Sequence, residues 1–106
     1  MVNRKIIEIV QEYLLALKKK NVYISKAFLF GSQVNGTATE NSDIDLMLVS
    51  PLFDEEKDKY ASVLWFTAGD ISYLIEPLAI GEFRFNTDNV SPIIGIVKSE
   101  GVEINI

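Results

Sequence analysis

Two apolar runs separated by a short polar stretch constrain this chain more than any other feature. The first ends Phe28-Leu29-Phe30-Gly31-Ser32, and after ten further residues the second begins Asp43-Ile44-Asp45-Leu46-Met47-Leu48-Val49. A parallel crossover takes about a dozen residues or more and would carry Gly31-Ser32 and Asp43 to opposite ends of a sheet. The shorter return, with room for one helical turn near Ser32 to Val34, predicts antiparallel pairing. The end of the first strand then lies beside the start of the second. Alternation in a strand puts Asp43 and Asp45 on one face, roughly 7 Å apart at their Cβ atoms. Ile44, Leu46 and Leu48 take the other face and point into a core.

Two carboxylates that close repel each other, and a divalent cation removes the cost. Hard oxygen donors of this kind suit magnesium or manganese. Glycine permits close approach of backbone to a ligand, and a helix starting after it offers free N–H groups to a phosphate. Phosphate donors and metal ligands therefore converge on one edge, a layout suited to nucleotidyl transfer. The Gly-Ser turn followed by Asp-x-Asp resembles the signature of minimal nucleotidyltransferases in the DNA polymerase β superfamily, and is most similar to small prokaryotic members paired with a HEPN-domain partner.

The resemblance implies an α/β (α+β) polymerase β-like fold: a small mixed or antiparallel sheet with helices packed mainly on one face, and residues 1–106 as one domain. It implies ATP as substrate, magnesium as cofactor (manganese as the alternative), and Asp43 and Asp45 as metal ligands. By the same resemblance Gly31 and Ser32 would grip the triphosphate, with Ser42 beside them. The family also expects a third carboxylate on a later strand. Glu76, the only charge in Ser72-Tyr73-Leu74-Ile75-Glu76-Pro77-Leu78, is favoured over Asp70, which follows Gly69 and reads as a turn residue. Glu76 would hold the metal that activates the acceptor hydroxyl, or take its proton. In HEPN-associated pairs the small protein transfers AMP to a tyrosine of its toxin, so the resemblance implies an antitoxin. The rival readings are transfer to a small molecule such as an aminoglycoside, with a homo-oligomer completing the site, and an inert binding partner of the same fold.

Composition narrows the chemistry. The chain has 106 residues, 48% apolar and 24% charged, enough for a single core and too few for two. It contains neither cysteine nor histidine. Thiolate and histidine metal sites are thereby excluded, and any proton transfer falls to a carboxylate or a metal-bound group. A cytoplasmic setting is expected: no apolar run approaches a membrane span, and Glu8 and Glu12 interrupt the N-terminal pattern, unlike a signal peptide. Residues 1–30 carry six basic and two acidic side chains, and residues 31–106 carry four and thirteen. The half holding the candidate site is acidic, which disfavours long nucleic acid as a substrate.

Periodicity predicts a first helix from an Asn3 cap to about Lys20, burying Ile6, Val10, Tyr13, Leu14 and Leu17. Strands follow at about 26–30 and 43–50. Residues 54–68 read as one helix with Asp54, Glu55 and Glu56 in its first turn, and 71–80 as the third strand. A short segment at 82–85 leads to a helix over 89–98 and an edge strand at 102–106. Trp65 and Phe66 are expected in the core, Arg84 in a surface ion pair, and Ser42 in the turn entering the second strand.

Overall fold

The computed structural model describes residues 2–106. Its elements run α1 (Arg4–Lys19), β1 (Lys26–Phe30), α2 (Ser32–Asn35), β2 (Ile44–Ser50), α3 (Leu52–Glu55), α4 (Lys57–Ile71), β3 (Ile75–Gly81), α5 (Glu82–Thr87), α6 (Pro92–Glu100) and β4 (Val102–Glu103). The four strands form one mixed sheet in the order β3-β2-β1-β4. β1 and β2 are antiparallel with Phe30 opposite Asp45, as the short connection requires. β2 and β3 are parallel, and the longer stretch between them carries α3 and α4 as the crossover.

Helix α1 starts where Asn3 accepts a 2.7 Å bond from the Lys5 backbone N–H. Its buried residues Val10, Tyr13, Leu14 and Leu17 form one stripe at helical spacing. That stripe meets α4 and the sheet face made by Ala27, Leu29, Ile44, Leu46, Leu48, Ile75 and Ala79. The Tyr13 hydroxyl donates to the Leu64 carbonyl at 2.9 Å, so its polar tip is satisfied inside the core. Burial pushes that phenol well above its ordinary range.

Part of the opposite sheet face is covered by α5 and α6. Met47, Val49 and Ile80 pack there with Phe85, Ile94 and Val97, and Phe28 stacks on Phe85 with ring centroids 5.3 Å apart. The main helical layer is thus on one face, with a smaller cover on part of the other.

Three expectations around α4 need correction. Residues 54–68 are not one helix: α3 ends at Glu55 and α4 begins at Lys57. Asp54 caps a different helix, accepting from the Phe83 and Arg84 amides of α5 at 3.0 and 3.3 Å. Gly81 makes this possible, since a Cβ there would collide with the Asp54 carboxylate. Residues 71–74 are not strand, because α4 continues to Ile71 and the Ser72 amide still bonds the Ala68 carbonyl. Trp65 and Phe66 are 53% and 73% exposed. Helical spacing from Leu64, Thr67 and Ala68 to Ile71 turns the sheet-facing stripe away from both aromatics.

The 82–85 segment is helical, with Phe85 buried and Phe83 exposed. The next helix starts at Pro92, three residues after the expected Asn89. Only Val102–Glu103 of the 102–106 tail pairs as strand, at the edge beside β1. Arg84 forms its surface ion pair with Asp88 at 3.2 Å. Asp88 also accepts from Val90 and Ser91, and those bonds hold its carboxyl well below the usual carboxylate range.

Candidate active site

The end of β1 and the starts of β2 and β3 meet at one corner of the sheet. Gly31 leaves β1 at φ +72°, a conformation that disfavours any side chain. A Cβ at this position would also collide with Asp45 Oδ2. Glycine is therefore required twice over, by backbone angle and by the approach of the acid. The first backbone bonds of α2 run from the Val34 and Asn35 amides to the Gly31 carbonyl, at 3.0 and 3.1 Å. Ser32 and Gln33 stand before them, with the amides that a helix start leaves free.

Asp45 lies in β2 directly beside Glu76 of β3 in the parallel register. Asp43 lies just before β2, which starts at Ile44, so it sits outside the strand in which it was expected. The three acids nevertheless converge. Glu76 lies within hydrogen-bonding reach of both Asp45 and Asp43. Desolvation raises the Glu76 pKa, and the negative charges of Asp43 and Asp45 add to the effect. Desolvation also raises Asp45, opposed by its hydrogen bond with Glu76 and reinforced by repulsion from Asp43. The contact between the two side chains thus raises Glu76 and lowers Asp45.

Glu76 was favoured as a buried charge, but it is exposed. What places it at the site is its register beside Asp45. Asp70 lies in the last turn of α4 rather than in a turn entering β3. Ser42 closes the turn before β2: its Oγ accepts from the Thr39 amide at 2.8 Å, and its own amide donates to the Thr39 carbonyl at 3.1 Å.

Among the described residues, no three acidic side chains are already spaced as a metal ligand set; the carboxylates contact one another instead. Their chemistry fits a hard divalent cation all the same. They are clustered oxygen donors, and the desolvation and like charge that raise Asp45 and Glu76 are costs a dication would offset.

The sequence profile of the nucleotidyltransferase domain matches residues 4–100, nearly the whole chain. The chain belongs to the nucleotidyltransferase domain family. Domains of this family use nucleoside triphosphates and divalent metals. The fold agrees with that of a candidate nucleotidyltransferase from Sulfolobus solfataricus, whose crystal structure was determined at 1.40 Å resolution. That match has a TM-score of 0.61 at 13% identity and covers 93% of this chain and 78% of the other. No curated protein matches the sequence.

Two residues of this nucleotidyltransferase domain escaped the sequence reading. Gln33 is buried and bonds the residues just before β2. It lies within the helical turn expected near Ser32 to Val34, where the sequence reading assigned it no role. Asp54 was read as a solvated helix start, and its pairing with Gly81 joins residues far apart in the chain. Among the described residues, no helix is long and apolar enough to cross a membrane.

Proposed function

We propose that this nucleotidyltransferase domain transfers AMP from ATP to a tyrosine hydroxyl of a HEPN-domain toxin, and acts as its antitoxin in the cytoplasm. The observation that carries the transfer chemistry is the convergence of Asp43, Asp45 and Glu76 against the Gly31 turn. In this reading Ser32 and the first amides of α2 hold the triphosphate, with Ser42 shaping the neighbouring turn. Asp43 and Asp45, with Glu76, would hold magnesium, which neutralises charge growing on the departing pyrophosphate.

The acceptor oxygen forms the new bond to the α-phosphorus as the bond to the pyrophosphate oxygen breaks. Glu76 accepts the proton released from that hydroxyl. Its pKa is raised by desolvation and by the like charges of Asp43 and Asp45, which makes it a stronger base than an ordinary carboxylate.

The choice of a protein acceptor rests on the resemblance to HEPN-paired members. It is supported by the acidic character of residues 31–106, which opposes long nucleic acid. Exposed Trp65 and Phe66 add aromatic surface of the kind enriched at protein interfaces. Incubating the protein with ATP, magnesium and a purified HEPN partner should add the mass of an adenylate to a partner tyrosine. An unchanged partner mass would count against the acceptor.

One observation favours a second reading, transfer to a small hydroxyl compound such as an aminoglycoside. A cleft of about 780 Å³ opens beside α2, lined by Lys5, Ile6, Ser32, Gln33, Glu40 and Leu74, within the size range of small-molecule sites. Adenylation of an aminoglycoside in the absence of any protein partner would select it.

A further inference from the structure

We infer that Gln33 is a positioning residue that ties Asp43 to the phosphate-gripping turn. The inference rests on the reading of Asp43 as a ligand of a metal–nucleotide complex. Gln33 is one of three buried polar side chains among the described residues, with Ser50 and Thr67. Its amide nitrogen donates to the carbonyls of Ser42 and Asp43, each at 3.3 Å. Two carbonyl acceptors demand the nitrogen at this position, because the amide oxygen has no proton to give.

The need for such a tie follows from the topology. The β1–β2 ladder begins at the Phe30 and Asp45 pair, so Asp43 lies beyond the hydrogen-bonded register. The next residue, Ile44, is held from the other side by the Leu74 carbonyl at 2.7 Å. Gln33 sits two residues after Gly31, on the short helix α2 that follows that turn. One side chain thus sets the distance between the phosphate grip and the first carboxylate. A group that orients a metal ligand without touching the metal typically contributes about 10- to 100-fold in affinity or activity.

Gln33→Met keeps length and volume but removes the donor. Gln33→Asn keeps the amide on an arm one carbon too short. Binding of Mn2+ to protein loaded with a non-hydrolysable ATP analogue is read by paramagnetic resonance, alongside kcat, KM and thermal unfolding. We expect both variants to bind Mn2+ about tenfold more weakly and to lose about tenfold in kcat. Analogue binding without metal should stay within about twofold, because Ser32 and Gly31 are untouched. If Gln33→Met does not fold, Gln33→Asn decides alone. A purely structural role would lower the unfolding temperature and leave Mn2+ affinity unchanged in the folded protein, which would overturn the inference. A wild-type protein that binds no Mn2+ with the analogue would instead overturn the reading of Asp43, and the inference with it.

Discussion

The two ends of one sheet face are built to opposite specifications. Toward the C-terminal end of β2, Met47 and Val49 are sealed with Ile80 under Phe85, Ile94 and Val97. At the start of the same strand, on the same face, Asp45 stands beside Glu76, outside that apolar cover. Pairing and alternation are the same at both ends. The difference lies in what α5 and α6 reach. Where they reach, apolar area leaves water and stabilises the fold by about 25 cal/mol per Å². Where they stop, like charges gather at a cost to stability, a pattern typical of functional sites.

The sharpest way to break the comparison is Asp45→Asn. Transfer activity should fall about a thousandfold, equivalent to about 4 kcal/mol of barrier. Stability without metal should hold or rise slightly, because folding raises the Asp45 pKa and so disfavours its charge. Steady-state turnover and urea unfolding of the same preparation check both halves.

Met47→Ala is the counterpart at the covered end. It should cost about 2–4 kcal/mol of stability through the cavity it leaves, with near-normal turnover per folded molecule. Gly31→Ala, at the acidic end, should lower both stability and activity. The strain of φ +72° and the collision with Asp45 should destabilise by about 1–3 kcal/mol and displace the acid. Activity should therefore fall further than the folded fraction does, as parallel circular dichroism and turnover measurements would show.

Protonation separates the site from its surroundings more gently. In chelator, the raised pKa values of Asp45 and Glu76 mean that the folded chain binds protons more tightly than the unfolded one. That contribution is complete below the ordinary values of 3.8 and 4.5 and is lost as pH rises through the folded pKa values. Asp88 acts in the opposite sense. Its pKa is lowered by hydrogen bonds from Ser91 and Val90, so its contribution is present above 3.8 and lost as pH falls through its folded value. Glu76→Gln should flatten the decline on the neutral side of a stability–pH curve, and Asp88→Asn should flatten the acid limb. The smallest effect is expected at Trp65→Ser. A solvent-facing residue there should change stability by less than about 0.5 kcal/mol in urea, whereas a core tryptophan would cost several.

Much of this architecture could be read from local pattern. The stripe of α1, the bounds of β1, the single turn after Gly31 and the antiparallel return all follow from spacing, because each is decided within a few residues. The α3–α4 break and the extension of α4 to Ile71 were not legible. Residues 71–74 satisfy both helical and strand patterns, and packing against α1 and the sheet chooses between them. Trp65 and Phe66 show the same limit: apolar side chains within a buried helix are not buried when the stripe turns past them. At the site, Gly31, Ser32, Asp43 and Asp45 were legible as a motif. Glu76 was chosen on burial, a property it does not have, and is placed there by strand register alone.

The amino-acid order by itself determined that a glycine bend and two aspartates would share one edge, because a ten-residue return leaves the two strands no other arrangement. Only the tertiary structure decided which third acid joins them, how Gln33 reaches Asp43, and which half of the sheet face stays uncovered. The third acid depends on β3 meeting β2 and the uncovered half on where α5 and α6 pack, while the Gln33 bond depends on how the β1–β2 return folds against β2. Contacts of that kind are settled by packing of the whole molecule, and local spacing carries no record of them.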